Sequence, residues 1–271
     1  MTVPIDQIVQ EFLINGYALF EDLMPSVKVD ALHAALMPML ENVQRVNSRV
    51  LTGNLATGRG RVCEPHRYKI EMPWMMPFSD LDLYANPMVL QVLERLWCSD
   101  DFTICNYNSY HPCPGCDSLS WHRDGELFAE NVVLPVFPCI ALKFSLVDTS
   151  EQNGCFELMP STHHSGLSSL THTPGSSYGD HLNDLLESGR YPSKMQLNLK
   201  RGSAFICDAR LIHRGLSNRS DHDRTELSIG YRLPWYDPRN TPLQITAQDF
   251  DDLSERGKQL LRECQIIEAV H

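Results

Sequence analysis

From residue 101 onwards the chain is a succession of short runs rich in β-branched and aromatic residues, separated by clusters of Pro, Gly, Asn and Asp. These runs include FTICNYNSY, CIALKFSLVD, MQLNLK, GSAFICD and ELSIGYRLPW. Many short strands with such punctuation indicate a β-sandwich or a jelly-roll barrel. The pair Asn153–Gly154 predicts a hairpin turn between two of the strands. The Ser-, Gly- and His-rich segment 166–194 is predicted to be a long insertion.

The two ends of the chain have helical patterns instead. Apolar residues at helical spacing predict one helix that ends at Gly16, a second from Ser26 to about Glu41, and a third that begins at Asn86. A short strand is predicted at Tyr17–Phe20. We therefore expect a single domain over 1–271, with a helical N-terminal part at 1–100, a β core at about 101–236 and a helical tail at 246–270.

Charge and cysteine content exclude several classes of protein. The formal net charge of −11 argues against nucleic acid or an anionic membrane surface as the main partner. No stretch approaches the roughly 20 apolar residues of a membrane span, and the first 20 residues lack a signal-peptide pattern. The nine cysteines show no framework spacing, which is typical of reduced thiols in a cytoplasmic protein. Cys113 and Cys116 lack a second CxxC and are interpreted as flanking a turn.

The stretch WHRDG places His122 and Asp124 two positions apart. On a strand, residues i and i+2 project from the same face, so an imidazole and a carboxylate could bind one metal ion. An HxD pair alone also fits a solvated strand edge. His213, just after the run GSAFICD, offers a second imidazole. Two histidines and one carboxylate occupy one face of an octahedron and leave three positions open, as in non-haem Fe(II) oxygenases.

A cosubstrate for such a centre needs an anchor. Arg224 stands eleven residues after His213, at the head of the run RTELSIGYR. Strand alternation puts residues 224, 226, 228 and 230 on one face, where Ser228 leaves room for a ligand. A guanidinium at the end of this slot can bind a carboxylate through two hydrogen bonds. Glu226 falls on the same face without an evident role.

Together these segments resemble the phytanoyl-CoA dioxygenase-like branch of the Fe(II)/2-oxoglutarate-dependent oxygenases. The resemblance spans roughly residues 8–236 and rests on FLINGYALFEDLM, WHRDG, NGCFELMPSTHHSG and CDARLIHRGLSNRSDHDR. MPST stands where the family usually has PGS, a change that should affect only the turn. The resemblance implies a mainly β fold with flanking helices, namely a double-stranded β-helix of the jelly-roll, cupin-like type.

The resemblance also implies roles for individual residues. It assigns the iron ligands to His122, Asp124 and His213. It assigns the distal carboxylate of 2-oxoglutarate to Arg224, with Ser228 in the same slot. The family often has an amide on the strand before the HxD motif; Asn106 and Asn108 both qualify, and Asn108 is preferred. Catalysis would run through the metal centre alone.

The segment before the barrel often recognises substrate in this family. Arg67 and Lys69 are therefore candidate substrate contacts, and Tyr107 is a third. The alternative interpretation of the segment around Arg67 is a surface strand with alternating charges.

The implied activity is that of a dioxygenase that hydroxylates or otherwise oxidises a C–H bond of a small metabolite or natural-product intermediate of secondary metabolism. Succinate and CO2 would be released, with Fe(II), 2-oxoglutarate and O2 required and ascorbate as a candidate reductant. Related halogenases replace the metal-binding carboxylate with a small residue, so Asp124 favours hydroxylation. The residues alone leave open a non-oxygenase jelly-roll protein, either a cupin-type hydrolase or isomerase or a metabolite-binding module. They indicate no oligomeric state.

Overall fold

A computed structural model describes residues 4–124, 137–164, 193–236 and 242–268. The helices are α1 Ile5–Asn15, α2 Ser26–Val46, α3 Leu81–Tyr84, α4 Pro87–Trp97, α5 Ala247–Asp251 and α6 Glu255–Leu260, and a 3-10 turn lies at Thr162–His164. The strands are β1 Tyr17–Phe20, β2 Arg59–Glu64, β3 Arg67–Glu71, β4 Thr103–Pro112, β5 Cys139–Ser145, β6 Phe156–Leu158, β7 Met195–Leu197, β8 Ala204–Asp208, β9 His213–Gly215, β10 Glu226–Arg232, β11 Gln244–Thr246 and β12 Gln265–Ile267. Within the described ranges, no helix has the length and apolar character to cross a membrane.

Two antiparallel sheets form the β core. The large sheet has seven strands in the order β1-β8-β5-β10-β4-β3-β2, and the small sheet has three in the order β7-β6-β9. Apart from the β2–β3 hairpin, neighbouring strands in both sheets are distant in the chain, as expected for a jelly roll. The fold is the predicted double-stranded β-helix with flanking helices.

The residues that were predicted to end one helix and to begin another have these positions in the structure. Gly16 adopts φ 82° and its N–H donates to the carbonyl of Phe12, so it ends α1 in the left-handed conformation that glycine permits. A Cβ at Gly16 would lie 2.5 Å from Nδ1 of His163, which adds a steric reason for glycine. Asn86 accepts hydrogen bonds from the N–H groups of Met88 and Val89 and caps α4.

The outer face of the large sheet carries most of the hydrophobic core. Strand alternation in β10 directs Leu227, Ile229 and Tyr231 to this face, and all three are fully buried. Buried residues of α1, α2 and α4 belong to the same cluster. Complete burial of one such aliphatic side chain is worth about 1.5–3 kcal/mol. This face therefore stabilises the fold.

The inner face is apolar only where the small sheet covers it. There Phe156 of β6 packs on Phe205 of β8, with ring centroids 5.0 Å apart, in a second and smaller cluster. Further along the same face, towards β4, β3 and β2, the side chains are polar or charged and line a cavity. The difference between the two parts of this face places the candidate site between the sheets.

The structure corrects three expectations about organisation and leaves a fourth untested. The N-terminal part is not simply helical, because β1, β2 and β3 belong to the large sheet. The turn at Asn153–Gly154 does not close a hairpin, since it leads from β5 in the large sheet to β6 in the small one. The C-terminal tail contains β12, which pairs in parallel with β11, in addition to helices. Most of the predicted insertion at 166–194 lies outside the described residues.

Candidate active site

Three side chains converge at the inner edge of the small sheet. Oδ1 of Asp124 lies 3.8 Å from Nε2 of His122 and 3.6 Å from Nε2 of His213. The nearest ligand atoms of the three residues all lie within 4.8 Å of one another. One cation could contact all three atoms after small side-chain movements.

Backbone carbonyls orient both imidazoles. Nδ1 of His122 is 2.9 Å from the carbonyl oxygen of Ser120, and Nδ1 of His213 is 2.9 Å from that of Leu211. In each ring the Nδ1–H donates to the carbonyl, which leaves the Nε2 lone pair directed at the common point. This is the usual way in which proteins fix the tautomer of a metal-binding histidine. Phe156 also stacks on His213, with centroids 4.7 Å apart and an angle of 20°.

The HxD pair does not lie on a regular strand, contrary to the prediction. His122 forms an isolated antiparallel bridge to His213, with N–H···O distances of 3.0 Å in both directions. This bridge, and not strand alternation alone, brings the two imidazoles together. The approach of the two histidines is therefore a long-range contact that no local pattern could reveal.

The charges around the three side chains favour the forms that bind a metal. Desolvation lowers the pKa of His122, and the adjacent His213 lowers it further, so His122 is neutral at pH 7. Desolvation raises the pKa of Asp124, but His213, Lys143 and His122 outweigh it, and the net pKa lies below the usual range. The carboxylate is ionised, as a metal ligand must be.

A buried cluster of charges lies in the same cavity. Arg224 pairs with Glu226, and Nζ of Lys143 lies 3.6 Å from the other oxygen of Glu226. The exposed fractions are 3%, 5% and 7% for Arg224, Glu226 and Lys143. Burial would raise the pKa of Glu226, but Arg224 and Lys143 lower it overall. Burial would lower the pKa of Lys143, but Glu226 and Asp124 raise it overall. All three groups are charged.

Lys143 links this cluster to the three metal-binding candidates. Lys143 forms no ion pair with Asp124, but its positive charge is close enough to help lower the pKa of the Asp124 carboxyl. Its Nζ also lies 5.1 Å from the ring centroid of Tyr110 and 5.4 Å from that of Phe156. Lys143 therefore stands between Asp124 and the Arg224–Glu226 pair, where a bridging ligand would lie.

The other predicted cosubstrate residues line the same cavity. Ser228 of β10 is directly opposite Lys143 of β5 on one side and Asn108 of β4 on the other. Asn108 is 4% exposed, and within the described ranges its amide makes no hydrogen bond. The structure thus brings Arg224, Asn108 and Ser228 to one surface.

Two of the three candidate substrate contacts also line the cavity, with different roles. Arg67 is 5% exposed, and its Nη2 donates to the carbonyls of Asp117 and Leu216, both at 2.9 Å. It holds two loop segments together. Lys69 is half-buried at the β2–β3 end of the cavity, and desolvation lowers its pKa.

Tyr107 does not line the cavity, contrary to the prediction. It is fully buried on the outer face of β4, where its hydroxyl donates to the carbonyl of Phe78 at 2.9 Å. Its ring packs on Trp74, with centroids 5.2 Å apart. The physical reason is strand alternation: Asn106 and Asn108 point into the cavity, so the residue between them points away.

Sequence reasoning missed two charged groups of the cavity and left a third unassigned. Lys143 is the only charged residue in the run CIALKFSLV, a signal that could have identified it. Arg61 of β2 lines the cavity opposite Lys69, but its sequence context is that of an ordinary surface strand. Glu226 now has a partner on each side.

A double-stranded β-helix with two imidazoles and a carboxylate around one point, and a buried guanidinium in the same cavity, defines the class of non-haem metal oxygenases. The family model for phytanoyl-CoA dioxygenase (PhyH) matches residues 12–225. The chain belongs to this family and is an Fe(II)/2-oxoglutarate-dependent dioxygenase.

Three known proteins illustrate the likeness. The chain is 19% identical to the ectoine dioxygenase of Nocardia farcinica over 257 residues, which cover 88% of this chain and 84% of that one. The carbocyclase SnoK from nogalamycin biosynthesis superposes with a TM-score of 0.61 at 15% identity, covering 86% of this chain and 87% of SnoK. The epimerase SnoN from the same biosynthesis superposes with a TM-score of 0.59 at 16% identity, covering 98% and 93%. Both are described as non-haem and α-ketoglutarate-dependent.

Proposed function

We propose that this dioxygenase oxidises a C–H bond of a small metabolite, by hydroxylation or by another oxidation that begins with hydrogen abstraction. In the proposal, Fe(II) is held by His122, Asp124 and His213, and 2-oxoglutarate is held next to it by Arg224 and Lys143. The observation that carries the proposal is the single cavity that contains all five side chains.

The donor set fits Fe(II). Two imidazoles, each with Nδ1 at a backbone carbonyl and Nε2 directed at the common point, and one ionised carboxylate form the facial arrangement that leaves room for further ligands. Thiolate sites favour zinc, but no cysteine takes part in this group. When bound, the iron activates O2 at the expense of 2-oxoglutarate, which leaves as succinate and CO2.

The charge cluster fits one carboxylate of 2-oxoglutarate. Two cations, Arg224 and Lys143, face one anion, Glu226, so the cluster has one net positive charge. Nε of Arg224 is buried and has no hydrogen-bond partner among the described residues. A buried guanidinium with an unused donor is costly, and a carboxylate would both neutralise the cluster and accept that hydrogen bond. Glu226 holds Arg224 in place until then.

The remaining residues of the site position the cosubstrate. Ser228 and Asn108 offer a hydroxyl and an amide beside Lys143, and both can donate hydrogen bonds to carboxylate or keto oxygens. Phe156 covers His213 and limits the access of water on that side. The chain thus orients the cosubstrate and shields the reacting atoms.

The names of the similar proteins cover several reactions. One is an ectoine dioxygenase, and two others are a carbocyclase and an epimerase from nogalamycin biosynthesis. A natural-product intermediate is therefore a suitable substrate in the present proposal. The cavity between the described residues has a volume of about 470 Å³, which suits a small molecule.

Screening a panel of small metabolites for stimulated succinate release tests the proposal. The assay contains the purified protein, Fe(II), 2-oxoglutarate, O2 and ascorbate. We expect succinate formation that requires both Fe(II) and 2-oxoglutarate and that rises with a substrate. Turnover of a panel compound that persists without 2-oxoglutarate would instead support a cupin-type hydrolase or isomerase.

A further inference from the structure

We infer that the substrate carries an anionic group, a carboxylate or a phosphate, which Arg61 and Lys69 bind at the β2–β3 end of the cavity. The inference rests on the proposed function, because it concerns the substrate of the same site. It adds a chemical class to that substrate and a second anion-binding position to the cavity.

The two cations face each other directly. Arg61 of β2 and Lys69 of β3 are paired in the antiparallel register, and both side chains line the cavity. Like charges directly opposite each other on two strands destabilise a sheet. Such a pair is expected where a third, opposite charge completes it.

Among the residues that the structure describes, no carboxylate completes the pair. Glu71 is the nearest acidic residue on β3, but its carboxylate pairs with Arg59 at 3.3 Å. Among the described residues, no carboxylate lies within 4.0 Å of the charged groups of Arg61 or Lys69. The Lys69 ammonium lies over the face of Tyr110, 5.9 Å from the ring centroid.

The other carboxylates among the described residues that line the cavity already have partners. Glu226 is held between Arg224 and Lys143, and Asp124 is directed at the two imidazoles. The chain as a whole is acidic, with 34 Asp and Glu residues against 23 Lys and Arg. The pair of half-buried Lys69 and exposed Arg61 is therefore a local feature of the cavity lining and not a reflection of the composition.

The partial burial of Lys69 increases the free energy that an anionic partner would contribute. Lys69 is half-buried, and desolvation lowers its pKa from the ordinary value. A cation that has lost part of its hydration gains more from an anionic partner than an exposed one does. An incoming carboxylate or phosphate would receive hydrogen bonds from both groups.

The lining next to this pair is apolar. Thr52 bridges to Gly60, which places Leu51 alongside Arg61, and both Leu51 and Leu55 line the cavity. A carbon skeleton attached to the anionic group would contact these side chains. The substrate class that fits is a small amphipathic acid.

The test uses four probes with one carbon chain: hexanoate, hexyl phosphate, hexanol and hexylamine. Binding of each is measured by calorimetry to the full chain loaded with Fe(II) and 2-oxoglutarate under anaerobic conditions. We expect hexanoate or hexyl phosphate to bind more tightly than hexanol and hexylamine by tenfold or more. The stronger of the two anions then identifies the charged group that the cavity prefers.

Two variants connect this preference to the residues. Lys69→Met and Arg61→Met should each weaken the binding of the preferred anion by about tenfold and leave hexanol unchanged. Lys258→Met, on α6 outside the cavity, is the matched control and should change nothing. Because each substitution removes like-charge repulsion, both variants should keep or raise the Tm, whereas a purely structural residue would lower it.

The outcomes separate this inference from the proposed function. If the wild-type protein binds Fe(II) but no 2-oxoglutarate, the proposed function fails. If 2-oxoglutarate binds but neither anion does, or if hexanol or hexylamine binds as tightly as the anions, the inference is wrong. Unchanged anion binding in both Lys69→Met and Arg61→Met would also overturn it.

Discussion

The two faces of the large sheet use the same strands for different purposes. On β10, Leu227 and Ile229 face outward into the helix-covered core, while Glu226 and Ser228 face inward to the cavity. On β4, Tyr107 faces outward and Asn108 inward. Adjacent residues of one strand therefore belong to two chemically distinct environments. Stability is concentrated on one face and ligand binding on the other.

This division explains how the cavity can contain charges that favour binding over stability. A buried cluster such as Arg224, Glu226 and Lys143 is seldom more stabilising than apolar residues of the same volume. The continuous core on the outer face makes that cost tolerable. Removing one member of that cluster leaves a buried charge unpaired and also costs stability. Other substitutions on the inner face should change ligand binding with little change in stability, and those on the outer face should do the reverse.

The largest expected effect is on the inner face, at Asp124. Asp124→Ala should reduce iron-dependent succinate formation below detection, because the proposed iron site loses its one carboxylate. The protein should remain folded, since the Asp124 side chain is 43% exposed. Metal content, succinate release and Tm check this together.

Asp117→Ala is the control for Asp124→Ala, because it removes an exposed carboxylate seven positions away in the chain. It should keep full activity. Undiminished turnover in Asp124→Ala would remove Asp124 from the metal site.

The next effect is on the outer face, at Ile229. Ile229→Ala should lower the free energy of unfolding by about 2–5 kcal/mol, since the side chain is fully buried and its loss leaves a cavity. The affinity of the folded protein for 2-oxoglutarate should be unchanged. Ser228→Ala, the adjacent inner-face variant, should cost much less stability. Urea denaturation of the two variants compares the two faces of the sheet directly. Equal losses of unfolding free energy would contradict the conclusion that the outer face provides most of the stability.

A smaller effect is expected in the buried charge cluster. Arg224→Gln and Lys143→Met should each weaken 2-oxoglutarate binding by about 1.5–3 kcal/mol, which is roughly 10- to 100-fold. Lys69→Met is the matched control and should bind 2-oxoglutarate normally, because its partner is the substrate. Anaerobic titration measures the three dissociation constants. If Lys69→Met weakened 2-oxoglutarate binding as much as Lys143→Met does, the assignment of Lys143 to the cosubstrate and of Lys69 to the substrate would be wrong.

The smallest effect near neutral pH is a pH dependence of the free energy of unfolding, which arises on the outer face and grows as the pH falls. His111 is fully buried between Ser109 and Thr225, and burial lowers its pKa to about 3. The unfolded chain has an ordinary histidine pKa near 6.5, so it binds more protons than the folded chain between about pH 6.5 and pH 3. Stability should therefore fall as the pH drops through this window.

The slope due to His111 should be up to about 1.4 kcal/mol per pH unit. His111→Asn should flatten the profile of unfolding free energy against pH by that amount. His222→Asn alters an exposed ring and serves as the control. An identical slope in the wild type and in His111→Asn would contradict the burial argument.

The parts of the structure that sequence could predict depend on local patterns. Alternation along β10 correctly places Glu226 and Ser228 on one face. Gly16 and Asn86 correctly mark the end of one helix and the start of another. In each case a few neighbouring residues decide the conformation, so no knowledge of distant contacts is needed.

The parts that sequence could not predict depend on register between distant strands. The pairing of Lys143 with Glu226 follows from the alignment of β5 with β10, and that of Arg61 with Lys69 from the alignment of β2 with β3. The approach of His122 to His213 is likewise a long-range bridge. The wrong prediction for Tyr107 has a different cause. Strand alternation already places Tyr107 on the face opposite Asn108, so the sequence alone could have excluded it as a cavity residue.

The most direct test of the account is the visible spectrum of the protein under anaerobic conditions. Adding Fe(II) and then 2-oxoglutarate should produce a weak metal-to-ligand charge-transfer band, because a chelating cosubstrate must occupy open positions of the iron. The band should require a higher 2-oxoglutarate concentration in Arg224→Gln. Metal-replete wild-type protein that shows no band at saturating 2-oxoglutarate would contradict the central claim, that the iron ligands and the carboxylate anchor serve a single site.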